Sequence, residues 1–102
     1  MSDSGNGQRF EVHCSGAVAN DLYQLQEGVS GAEKKRIAAA FQKIVQKLEA
    51  NAKDLGEPLY RLPHAHLQVR STVVAPLGVI FGVHEDKPIV FIKSCRLLAT
   101  DS

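Results

Sequence analysis

Residues 65–95 read AHLQVRSTVVAPLGVIFGVHEDKPIVFIKSC, and the fold turns on how they are parsed. Ala65 to Arg70 alternates, so Leu67 and Val69 point one way and His66, Gln68 and Arg70 the other, which is read as the open face of the sheet. Pro76 interrupts the pattern. Leu77 to His84 is a long apolar strand, and Glu85-Asp86-Lys87 makes its turn into a last strand from Pro88 to Cys95. The stretch predicts a three-stranded antiparallel meander. Gly78 and Gly82 share a face with Ile80 and His84, which predicts either local curvature or the close approach of another segment.

Upstream, Lys53 to Pro63 carries turn signals around Gly56, Pro58 and Pro63. Before it, Ile37, Phe41, Ile44, Val45 and Leu48 mark one face of a helix running to about Ala52. Ser30 is its N-cap and Glu33 completes a capping-box pattern. A first helix spans Ala17 to Glu27, with Val18, Leu22 and Leu25 at helical spacing and Gly28 just past its end. The short link makes the two helices an antiparallel hairpin. Phe10 to Cys14 alternates as an opening strand with Phe10, Val12 and Cys14 toward the core. The order is β-α-α-β-β-β: an α+β fold with a helical hairpin on one face of a mainly antiparallel four-stranded sheet. The hairpin has an apolar stripe to bury, so it covers one sheet face and leaves the other open.

The bulk composition bounds the rest. The chain of 102 residues is one domain in length, with 44% hydrophobic and 23% charged residues. A net charge of +1 demands neither a nucleic-acid nor a membrane partner. Residues 1–8 read as a disordered leader, 9–96 as the domain and 97–102 as a flexible tail. With no secretory leader, Cys14 and Cys95 are expected as reduced, largely buried thiols of a cytoplasmic protein. His64 and His66, with His84 and the cysteines, lack the paired ligand spacing of a structural metal site, so no metal is expected.

Four stretches, in this order, resemble the RelE/ParE superfamily of toxins from type II toxin–antitoxin modules. Phe10 to Ser15 matches the opening strand, followed by a helix start. Leu55 to Leu62 resembles the stretch after the second helix, Leu67 to Arg70 the "L-R" strand, and Gly78 to Val83 the "R-V-I-Y-x-V" strand. The likeness covers residues 10 to about 96. It implies a bacterial toxin-like component of a plasmid-stabilisation type of module, neutralised by a cognate antitoxin protein. In the RelE branch, ribosome-bound mRNA is cut by a ribose 2′-hydroxyl attacking the adjacent phosphate, with no cofactor or metal. A guanidinium suits that chemistry because it binds phosphate bidentately and stabilises developing charge. Carried over, the resemblance implies Arg70 and Arg96 as catalytic residues. From its place on the same strand face as Arg70, His66 is expected as a proton shuttle, and Arg61, Arg70 and Lys93 are expected as RNA contacts. Gly78 replaces the third-strand arginine, and no Tyr or His follows the last strand, so mRNA interferase activity is expected to be weakened or lost. The alternatives are a ParE-like gyrase inhibitor without catalysis, and a repurposed oligomerising domain that forms a homodimer through the open sheet face.

Overall fold

The computed structural model describes residues 9–98. They form β1 (Glu11–Cys14), α1 (Gly16–Gln26), α2 (Gly31–Asn51), β2 (Glu57–Leu62), β3 (Leu67–Val74), β4 (Leu77–His84) and β5 (Ile89–Leu97). Short 3-10 turns lie at Ala52–Asp54 and Pro63–Ala65. The α+β architecture is as expected, but the sheet has five strands in the order β1-β5-β4-β3-β2 rather than four. The added strand, β2, lies in the segment read as turns. Pro58 is tolerated there because β2 is an edge strand whose outer N–H groups need no ladder partner. All neighbours pair antiparallel except β1 with β5, which run parallel.

Both helices begin on a serine. Ser15 Oγ accepts from the Val18 N–H at 3.2 Å and Ser30 Oγ accepts from the Glu33 N–H at 3.1 Å. Each satisfies one of the orphan donors of a first turn, a contribution of about 1 kcal/mol. Gly28, just past α1, has φ +81°, which glycine adopts without Cβ strain. Ile37, Ala40, Ile44 and Leu48 form the buried stripe of α2, packed with Val18 of α1. Opposite them lie Leu77, Val79, Phe81 and Val83 of β4 and Val90, Ile92 and Cys95 of β5. Each large aliphatic side chain removed from water here contributes about 1.5–3 kcal/mol. No helix among the described residues is long and apolar enough to cross a membrane.

Register decides which side chains share a face. Arg70 pairs with Phe81, Thr72 with Val79 and Gln68 with Val83, so these three β3 residues lie on the helix-covered face. Leu67 and Val69 lie on the other. This reverses the expected assignment, in which Arg70, Gln68 and His66 faced outward. Val69 is nonetheless 0% exposed, set between Tyr60 and Gly82 in the ladder. A Cβ on Gly82 would lie 3.3 Å from Leu67 Cδ1, and one on Gly78 would lie 3.2 Å from Leu98 Cδ2. The two glycines therefore make room for the chain's own leucines.

In β5 the register shifts between the Phe81–Ile92 and Ile80–Ser94 pairs, which leaves Lys93 as an extra, exposed residue. The bulge puts Cys95 on the helix-covered face, not on the open face with Ile89 and Phe91. Arg96 lies on the open face opposite Gly78. Cys14 points toward the covered face by its pairing with Ile92, but on an edge strand it stays exposed, so only Cys95 is the buried thiol expected. Leu97 ends β5, and the Leu98 N–H donates to Pro76 O at 2.8 Å, so the sheet extends into what was read as tail. The proposed leader and residues 99–102 lie outside the described residues.

Candidate functional site

The chain returns from α2 to β2 through a turn that Gly56 makes feasible. Gly56 has φ +70°, and a Cβ there would lie 1.9 Å from Ser71 O. No other residue fits without moving backbone. The turn brings two carbonyls over β3, and Arg70 takes both: Nε donates to Leu55 O at 2.8 Å and Nη2 to Gly56 O at 3.1 Å. A guanidinium has five N–H groups, so three remain after these two bonds. Arg70 is thus a cation of fixed orientation with donors to spare.

Around it is a recess of about 270 Å³ lined by Lys53, Gln68, Arg70, Val83, His84 and Glu85. Lys53 was not singled out from the sequence. Its position in the 3-10 turn that continues α2 was the available signal, since a cation there suits the negative end of a helix. Arg61, expected as an RNA contact, is committed to Glu85 in a two-pronged pair: Nη2 donates to Oε1 at 2.9 Å and Nε to Oε2. The side-chain hydrogen bond raises the Arg61 pKa and lowers that of Glu85. Glu85 therefore stands as a carboxylate on the rim, tempering the positive charge of Lys53 and Arg70.

His66 does not join this recess from the strand. It sits at the end of the Pro63–Ala65 turn with φ +55°, in the left-handed region, so His64 and His66 are not strand neighbours. Its ring is 6.1 Å from that of His84, and its Nδ1 is 4.0 Å from Asp86 Oδ2. His84 Nδ1 accepts from the Asp86 and Lys87 N–H groups at 3.0 and 3.1 Å. A neutral ring in that arrangement carries its proton on Nε2. Among the described residues, no three His, Cys, Asp or Glu side chains converge as metal ligands.

Arg96 lies elsewhere. It borders a second recess of about 260 Å³ on the open face, with Leu59, Ser71, Gly78, Ile80, Ser94 and Leu98. Arg70 and Arg96 are on opposite faces of the sheet. A reacting phosphate in either recess would meet one of the two arginines, not both. Lys93 is exposed at the bulge and lines neither recess.

No family model matches the chain, and no curated protein matches it by sequence. Solved structures do match in fold. A chain of the RelBE2 toxin–antitoxin complex from Mycobacterium tuberculosis superposes with a TM-score of 0.65 at 16% identity, covering 90% of this chain and 94% of that one. A chain of the archaeal RelE-RelB complex from Pyrococcus horikoshii OT3 gives 0.65 at 14% identity, covering 91% and 99%. A chain of the chromosomal ParDE TA system from P. aeruginosa gives 0.64 at 12% identity, covering 90% and 99%.

Proposed function

We propose that this chain, whose fold is that of the RelE and ParE structures, is the toxin-like component of a two-protein toxin–antitoxin pair, held in check by an antitoxin protein. The observation that carries the reading is end-to-end agreement: at least 94% of each of three chains from toxin–antitoxin structures is covered by this one. The expected setting is the cytoplasm. Of the two branches, the site favours action by binding, as in the non-catalytic, gyrase-directed reading. Cleavage of ribosome-bound mRNA needs several cationic donors around one phosphate, and here Gly78 takes the place of one arginine while Arg96 is behind the sheet from Arg70.

Cleavage remains the second reading because of one feature, the pre-oriented Arg70 beside Lys53. In that reading Arg70 holds a backbone phosphate of mRNA and His66 has no part, since it does not line the recess.

The test is to add purified chain to a cell-free translation reaction and map mRNA 5′ ends, with a gyrase supercoiling assay in parallel. Intact mRNA with inhibited supercoiling is the expected result. New 5′ ends that require translating ribosomes and vanish in Arg70→Ala would replace binding with cleavage. Inertness in both assays, with a concentration-dependent dimer, would leave the oligomerising domain.

A further inference from the structure

The recess around Arg70 carries more than positive charge, because its hydrogen-bonding groups are sorted. Arg70 Nε and one N–H of Nη2 are spent on the Leu55 and Gly56 carbonyls, so the N–H groups that remain lie on Nη1 and Nη2. They form a fork whose direction the α2–β2 turn holds. Lys53 lines the same recess and takes part in no ion pair among the described residues. His84 lines it too. Its Nδ1 accepts from the Asp86 and Lys87 N–H groups, so the neutral ring can only donate to a ligand, from Nε2. Gln68 is the reverse case: its Nε2 donates to Tyr60 O at 3.4 Å, which leaves Oε1 as an acceptor. The carboxylate of Glu85 at the rim is answered by both prongs of Arg61. Past Lys53, a smaller recess of about 90 Å³ is bordered by Asp86 and Lys87, one charge of each sign. The larger recess thus offers two cations without a carboxylate partner, a neutral donor and an acceptor, beside the apolar wall of Val83.

We propose that this recess binds a small phosphate monoester that also carries a hydroxyl group, such as a sugar phosphate. The phosphate sits between Arg70 and Lys53, and the hydroxyl donates to Gln68 Oε1. Charge sets the class. Near neutral pH a phosphate monoester carries about two negative charges and three strong acceptor oxygens, which matches two cations and the His84 donor. A guanidinium fork grips such a group with two parallel bonds. A phosphodiester or a carboxylate carries one charge and would leave one cation unmatched. Size points the same way: about 270 Å³ falls just under the roughly 300–1,000 Å³ of drug-sized pockets, room for a phosphate on a short carbon body. The inference does not depend on the toxin reading, and the recess lies across the sheet from Arg96.

The test titrates ribose 5-phosphate, inorganic phosphate and dimethyl phosphate into the intact chain at one ionic strength, following backbone and side-chain N–H shifts on isotopically labelled protein. Ribose 5-phosphate is expected to bind most tightly and inorganic phosphate next, with dimethyl phosphate about tenfold or more weaker than ribose 5-phosphate. Shifts should gather on Arg70, Gln68, His84 and Glu85. Lys53→Gln should weaken ribose 5-phosphate and inorganic phosphate alike, by about threefold to tenfold. Arg70→Lys, which keeps the charge and loses the fork, should weaken them at least as much. Gln68→Met should bring ribose 5-phosphate down to the affinity of inorganic phosphate and leave inorganic phosphate unchanged, a selective loss that misfolding would not produce. Arg36→Ala, which removes a charge from α2, should change nothing. Equal melting midpoints for Lys53→Gln and the parent chain separate lost binding from lost folding. No saturable shifts at these residues, dimethyl phosphate binding as tightly as ribose 5-phosphate, no preference for ribose 5-phosphate over inorganic phosphate, or binding indifferent to both Lys53 and Arg70 would each overturn the proposal.

Discussion

Two arginines on the strands flanking β4 face opposite sides of one sheet and are held in opposite ways. Arg70, on the helix-covered side, is latched to the carbonyls of the α2–β2 turn. Arg96, on the open side, has no partner among the described residues. The first is part of the frame and keeps only its remaining N–H groups for a ligand. The second makes no side-chain bond among the described residues. A guanidinium becomes structural or functional according to the acceptors that the backbone brings to it, and here Gly56 is what brings them.

The sharpest break of this two-sided picture is a pair of phenylalanines. Phe81 is 0% exposed under the helices, whereas Phe91 on the open face is 39% exposed and stacks on His13 at 5.5 Å. Phe81→Ala should cost about 3–5 kcal/mol in urea unfolding, and Phe91→Ala about 1 kcal/mol or less. Equal losses would mean that the covered and open faces are misassigned. The arginines come next. Arg70→Ala strands two carbonyls and should cost about 1–3 kcal/mol, while Arg96→Ala should stay within about 0.5 kcal/mol; the same unfolding curves measure both.

The cysteines sharpen the contrast between edge and centre of the covered face. Burial pushes both thiols up in pKa, yet Cys14 is exposed and Cys95 buried. A chromogenic disulfide reagent should titrate Cys14 in the native protein, faster as pH rises, and reach Cys95 only on unfolding. The smallest effect concerns Glu85, whose pKa the bond from Arg61 lowers. A depressed carboxylate adds stability above its unfolded value, and that addition is lost as pH falls through the folded one. Glu85→Gln should therefore remove a shallow component of acid destabilisation, seen by comparing the two proteins' unfolding midpoints at neutral and acid pH.

The parts of the fold legible in sequence were those whose signals are local. Ser30, Glu33 and the Ile37–Leu48 stripe lie within a few turns of one another, and α2 starts and packs as they direct. The meander was legible too, because Pro76 and Glu85-Asp86-Lys87 punctuate it. Strand β2 was not, since turn residues and an edge strand share the same proline and glycine. Arg70 and Arg96 were legible as residues of interest, but not as residents of separate sites. The sequence alone determined the α+β class, the Ser30 cap of α2 and the alternation of β1 and β3. Only tertiary structure decided which side of that alternation the helices cover, because a period of two reads the same with its faces exchanged. It also decided where Arg96 points, because one unpaired residue at Lys93 inverts every side chain that follows it.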